Sequence, residues 1–120
     1  MKPERLVPLI EVRSVVRSIE FYARLGFEAA NTFTPVDALE PGWASLRNGG
    51  AELMIARSET AAPSRRSILL YVYCEDVAQA RASLEAAGVS CGPIRHPFYA
   101  PKGEFEVKDP DGYLLMITHT

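Results

Sequence analysis

With 120 residues, 48% of them hydrophobic and 23% charged, the chain has the size and composition of one soluble domain with its own core. Its net charge of −2 gives no case for nucleic acid or an anionic membrane, both of which want a basic face. Two cysteines, Cys74 and Cys91, stand outside any CxxC spacing, which points to reduced thiols rather than a disulfide or a metal pair. The start, MKPERLVPLIEV, carries too many charges for a signal peptide, and no run of about 18 apolar residues occurs, so the expected location is the cytoplasm.

In chain order, LVPLIEV (6–12) is rich in strand-forming residues and predicts the first strand. Ser14 then offers a helix N-cap. Val15, Ser18, Ile19, Tyr22 and Leu25 recur at three- and four-residue spacing, which predicts a helix to about Leu25 with Gly26 as its stop. Three shorter strands are expected at 27–34, 42–47 and 51–57, the last two joined as a hairpin at Asn48-Gly49-Gly50. The segment 58–65 is polar, small and proline-bearing, the composition of a linker. Beyond it the same order returns: a strand at 68–74, Asp76 as N-cap, a helix to Ala86-Ala87, and Gly88 in the C-terminal role. Strands at 89–95, 103–108 and 113–119 follow, with Asp109-Pro110-Asp111-Gly112 as the last turn.

Sliding the chain along itself by 62 residues lays ELMI (52–55) on LLMI (114–117), Gly50 on Gly112, Gly26 on Gly88 and Trp43 on Phe105, with no gap. Two repeats, about 4–57 and 66–119, therefore make up a single domain spanning 1–120. A βαβββ unit covers one face of its sheet with its helix and leaves the other open. Two such units can curl their open faces into a cup-like, partly closed β-barrel, an α+β fold whose concave side is the natural place for a ligand.

The pattern SxxFYxxLGF at the first helix (Ser18, Phe21, Tyr22, Leu25, Gly26, Phe27) and DPDGxxL at the final hairpin (Asp109 to Leu115) give the whole chain a resemblance to the vicinal oxygen chelate superfamily. That superfamily holds glyoxalase I, the fosfomycin-resistance thiol transferases, extradiol dioxygenases and bleomycin-resistance proteins. Its metal-dependent members take ligands from the first and last strand of each module, and the resemblance places those positions at Val7, Met54, Leu69 and Met116. None is a hard oxygen or imidazole donor, and a thioether is a soft one, so no metal and no other cofactor is expected. Met54 and Met116 then become symmetry-related packing residues. A two-residue slip along the first strand would instead bring Leu9 or Glu11 to a ligand position.

Side chains alternate across a strand, so positions sharing parity with the former ligands point inward: Leu9, Glu11, Glu52, Met54, Tyr71, Tyr73, Leu114, Met116 and Thr118. Likeness to the fosfomycin-resistance members adds Glu104 and Glu106. Plainer explanations stand beside each of these. Glu104 and Glu106 fit the solvated face of a strand, Glu52 an outward hairpin position, Glu11 a salt bridge to Arg47 or Arg13, and the tyrosines simple strand packing. His119 has the opposite parity to Met116, and His96 lies in RHPFYAPKGEF, a loop that resembles a rim or lid.

The inward set would be acidic with aromatic walls, which suits a cationic or aromatic compound. The leading expectation is a metal-free small-molecule-binding protein that sequesters such a compound as a homodimer, with no nucleic-acid or membrane partner. The alternatives are a metal-dependent lyase (glyoxalase I-like) or dioxygenase, and a metal-free enzyme in which Glu11 or Glu104 is the general base. A dimer surface could also be the functional part, with the cup no more than a packed core.

Overall fold

The computed structural model describes residues 1–58 and 68–120. The chain divides into two compact units, Met1–Ala62 and Pro63–Thr120. Most of the expected linker and the first residues of the second expected repeat fall within 59–67 and lie outside the described residues. No helix among the described residues is long and apolar enough to cross a membrane.

In the first unit β1 (Leu9–Val12), α1 (Val15–Arg24), β2 (Glu28–Phe33), β3 (Trp43–Asn48) and β4 (Ala51–Arg57) follow one another. The strands form one open sheet in the order β1-β4-β3-β2, with β1 parallel to β4 and the other pairs antiparallel. β1 begins only at Leu9 because Pro8 has no N–H to give a ladder; its carbonyl still accepts from Met54 N at 2.9 Å. Ser14 caps α1 as its position requires, its Oγ accepting from Arg17 N at 3.1 Å.

Both helices end in the same way. The N–H groups of Phe27 and Gly26 donate to the carbonyls of Tyr22 and Ala23, each at 3.0 Å, a Schellman closure that needs a left-handed residue, and Gly26 has φ +92°. The Tyr22 and Phe27 rings meet edge-on at 6.0 Å across that turn. A Cβ at Gly26 would stand 2.7 Å from Asn48 Nδ2, which donates to Leu25 O at 3.1 Å. Gly26→Ala is therefore expected to cost about 1–3 kcal/mol, through a disfavoured φ and the displaced Asn48 amide. Urea unfolding with an unchanged m-value checks this, and a loss below the measurement error would show that the turn relaxes freely.

The second unit contains β5 (Leu69–Cys74), α2 (Val77–Ala86), β6 (Glu104–Lys108) and β7 (Leu114–His119), with sheet order β5-β7-β6. Asp76 Oδ1 caps α2 by accepting from Gln79 N at 3.0 Å, and Val89 and Gly88 close its end onto Leu84 and Glu85. The expected strand at 89–95 does not form. Its segment touches β6 through two isolated bridges, Cys91 with Val107 and Arg95 with Glu104. Gly92 and Pro93 lie between the bridges, and a proline cannot donate to a ladder, so the pairing is cut in the middle.

The two units share a strand register over their outer pair of strands and differ in the rest. Leu9 pairs with Met54 and Tyr71 with Met116, so both members of the pair recur at the same 62-residue interval. β3 and β6 do not keep it. Trp43 pairs with Ala56, whereas the partner of Thr118 is Glu104, so Trp43 corresponds to Glu104 rather than Phe105. The cause is hairpin length: four residues separate the paired Arg47 and Glu52, and five separate Lys108 and Leu114. This one-residue gap sends Phe105 to the helix side, 1% exposed, and Glu104 to the opposite face. α1 packs on β2, β3 and β4, where Leu46, Leu53 and Ile55 are buried, and α2 packs on β6 and β7, where Phe105, Val107, Leu115 and Ile117 are buried.

Candidate ligand-binding site

Each helix covers one face of its own sheet, so the residues of opposite parity occupy the helix-free face. In the first unit these include Leu9, Glu11, Glu52 and Met54. Glu52 is not a spare carboxylate. Its Oε2 takes Arg5 at 2.8 Å and its Oε1 lies 3.5 Å from Arg47, so two guanidinium groups already neutralise it. Glu11 shares a row with Ala56 and Trp43, two rows from the Arg47–Glu52 pair. Arg47 is thus spent on Glu52 rather than facing Glu11 across the sheet.

In the second unit the register makes three rows across the helix-free face: Tyr73, Thr118 and Glu104; Tyr71, Met116 and Glu106; Leu69, Leu114 and Lys108. Strand pairing therefore brings six of the expected residues, Tyr71, Tyr73, Glu104, Glu106, Met116 and Thr118, onto one surface. Tyr71 and Tyr73 stack on each other at 6.2 Å with an interplanar angle of 28°. Thr118 and Glu104 are each 5% exposed, while Glu106 is exposed. Among the described residues, Glu104 Oε2 has no hydrogen-bond partner. A buried acceptor in that condition is costly unless something donates to it.

Beside Glu104 lies a cavity of about 300 Å³, lined in part by Arg95, Tyr99, Glu104, Glu106 and Met116. Gly92 and Pro93, which break the ladder, form another part of its wall. Arg95 and Tyr99 are not among the residues expected from the sequence, because they sit where periodicity gives no signal. The only pointer to them is the proline- and aromatic-rich loop itself. That loop is tied down: Gly103, with φ +101°, donates to Ala100 O at 2.9 Å, and Lys102 N donates to His119 Nε2 at 3.1 Å. His119 thus holds the segment carrying Tyr99, while His96 is exposed. The DPDG motif has a structural task, since Asp109 Oδ1 accepts from Asp111 N at 2.9 Å and Tyr113 N at 2.8 Å to shape the β6–β7 turn.

The Tyr99 phenol is pushed above its ordinary range by the Glu104 carboxylate, then by desolvation, by hydrogen bonding to Glu104, and by Tyr71. Negative charge at Glu104 opposes a second negative charge on the phenol. Glu104→Gln should therefore lower the Tyr99 ionisation toward that of a free phenol in an ultraviolet titration, with Tyr99→Phe identifying the transition. An unmoved transition would remove Glu104 as its cause. Burial also pushes up both free thiols, Cys74 and Cys91.

The four positions that the resemblance names, Val7, Met54, Leu69 and Met116, carry thioether or aliphatic side chains. Leu9 stands opposite Met54 and Tyr71 opposite Met116, Leu69 pairs with Leu114, and Val7 precedes β1. Thioether and aliphatic groups do not suit a hard cation. Among the described residues, no three His, Cys, Asp or Glu side chains gather into a group that could hold one.

A family model described as the Glyoxalase/Bleomycin resistance protein/Dioxygenase superfamily matches residues 7–117. Among solved structures, a bleomycin-binding protein complexed with bleomycin superposes with a TM-score of 0.78 at 19% identity, over 98% of this chain and 99% of that one. The protein SMU.1112c gives 0.80 at 27% identity over 98% and 99%. The bleomycin-binding protein from bleomycin-producing Streptomyces verticillus, complexed with copper(II)-bleomycin, gives 0.75 at 23% identity over 100% and 98%. A search of curated proteins finds no match. The paired modules, their shared register and a family match that runs through both units agree: the chain belongs to the Glyoxalase/Bleomycin resistance protein/Dioxygenase superfamily.

Proposed function

We propose that the protein is a metal-free small-molecule-binding protein of the glyoxalase/bleomycin-resistance type, which holds a cationic, aromatic compound on the helix-free face of its second sheet. The observation that carries this reading is Glu104: a carboxylate 5% exposed, lining a cavity, with one oxygen lacking any partner among the described residues. A ligand N–H⁺ would supply the missing donor and offset the cost of burying it. Glu106 adds a second negative charge, and the stacked Tyr71 and Tyr73 offer a flat wall for an aromatic group or a cation. Two solved structures of the same fold hold bleomycin, which agrees with a ligand-binding scaffold.

The buried Glu104 also favours a second reading, a metal-free enzyme in which this carboxylate takes a proton from the ligand. Binding with turnover would separate the two. Native mass spectrometry of tag-free protein tests the main reading together with its homodimer, since one spectrum gives subunit number, bound metal and any retained small molecule. The expected result is a dimer without stoichiometric metal that binds a cationic aromatic saturably and releases it unchanged. One divalent ion per subunit, with ion-dependent turnover of a glutathione hemithioacetal, would return the protein to the metal-dependent lyases.

A further inference from the structure

The same cavity contains a charge of the other sign. Arg95 and Glu104 exchange both backbone hydrogen bonds, Arg95 N to Glu104 O at 2.8 Å and Glu104 N to Arg95 O at 2.9 Å. Such a pair has Cα atoms about 5.5 Å apart and sends its side chains to one face. Both side chains line the cavity, yet they do not neutralise each other. Arg95 forms no ion pair among the described residues, and Glu104 keeps Oε2 without a donor. Two opposite charges held close together and left apart are complementary to a molecule with the same two charges in reverse.

We infer that the ligand is a small aromatic zwitterion, an α-amino acid or a molecule carrying an amino-acid end. Its ammonium pairs with Glu104, its carboxylate with the Arg95 guanidinium, and its ring lies against Met116 and Tyr99. An α-amino acid carries both charged groups on one carbon, a short separation that side chains from directly opposed strand positions can reach. A cavity of about 300 Å³ has room for one such molecule with its side chain. The fork of the guanidinium suits a carboxylate better than a point charge would, because it can donate two parallel hydrogen bonds.

The inference rests on the reading of this face as a cation site, and three probes sharing one ring separate the two ideas. Calorimetric titrations would compare phenylalanine, phenethylamine, which lacks the carboxylate, and 3-phenylpropionate, which lacks the ammonium. Phenylalanine is expected to bind at least about tenfold more tightly than either, the scale of one charged hydrogen bond. Arg95→Gln should erase its advantage over phenethylamine, and Glu104→Gln its advantage over 3-phenylpropionate. Equal binding of phenethylamine and phenylalanine, unaffected by Arg95→Gln, would overturn the zwitterion and leave the cation site standing. No binding by any probe, a preference for 3-phenylpropionate, or indifference to Glu104→Gln would overturn both.

Discussion

Tyr22→Ala is expected to lower the unfolding free energy by about 3–5 kcal/mol, the usual loss when a large buried aromatic is truncated. Tyr22 is 1% exposed and central to its unit. Its ring meets Phe21 edge-on at 5.1 Å and Phe27 edge-on at 6.0 Å, and its carbonyl receives the N–H of Phe27 in the turn that ends α1. Removing the ring opens a cavity between α1 and the sheet and also loosens the approach to β2. Such a loss would take up much of the stability of an ordinary small domain, about 5–15 kcal/mol, so the variant should unfold at far lower urea. Tyr22→Phe keeps the ring and should cost only about 1 kcal/mol, the scale of a single hydrogen bond. Similar losses in both variants would mean that the hydroxyl, not the packed ring, anchors the helix.

How much of the molecule is legible in its sequence follows the range of the interactions involved. Ser14, Asp76, Gly26 and Gly88 mark helix ends through contacts within a few residues, so the residue types alone place them. The parity of Leu9, Glu11, Met54, Tyr71 and Met116 is equally accessible, because a strand has only two faces. The strand expected at 89–95 fails because Gly92-Pro93 interrupts its pairing with β6, a local signal that the likeness to the strand at the same place in the first repeat obscures. The correspondence of Trp43 with Phe105 fails because a one-residue difference in hairpin length does not register in a pattern of matching residue types. Arg5 on Glu52, Lys102 on His119 and the placement of Arg95 and Tyr99 all join distant segments or irregular loops. Periodicity carries no information about such contacts, and half of the candidate cavity is made of them.

Glu104→Met is expected to stabilise the folded protein by about 1–2 kcal/mol while weakening the binding of phenethylamine by at least about tenfold, so that stability and binding move in opposite directions. The stabilisation comes from replacing a buried carboxylate, one oxygen of which has no partner among the described residues, with an apolar side chain of similar length. The weaker binding comes from removing the acceptor for the ligand's N–H⁺. A residue kept in place for packing alone would do neither: truncating a well-packed side chain destabilises, and affinity follows only if the fold is damaged. Urea unfolding and calorimetry on the same preparation would decide between these. A destabilised Glu104→Met that binds as tightly as the parent would show that Oε2 has a structural partner and that the ligand sits elsewhere. The opposite pattern would mean that the second sheet gives up stability at Glu104 in order to keep a charged acceptor ready, as expected of a group placed for a ligand rather than for the core.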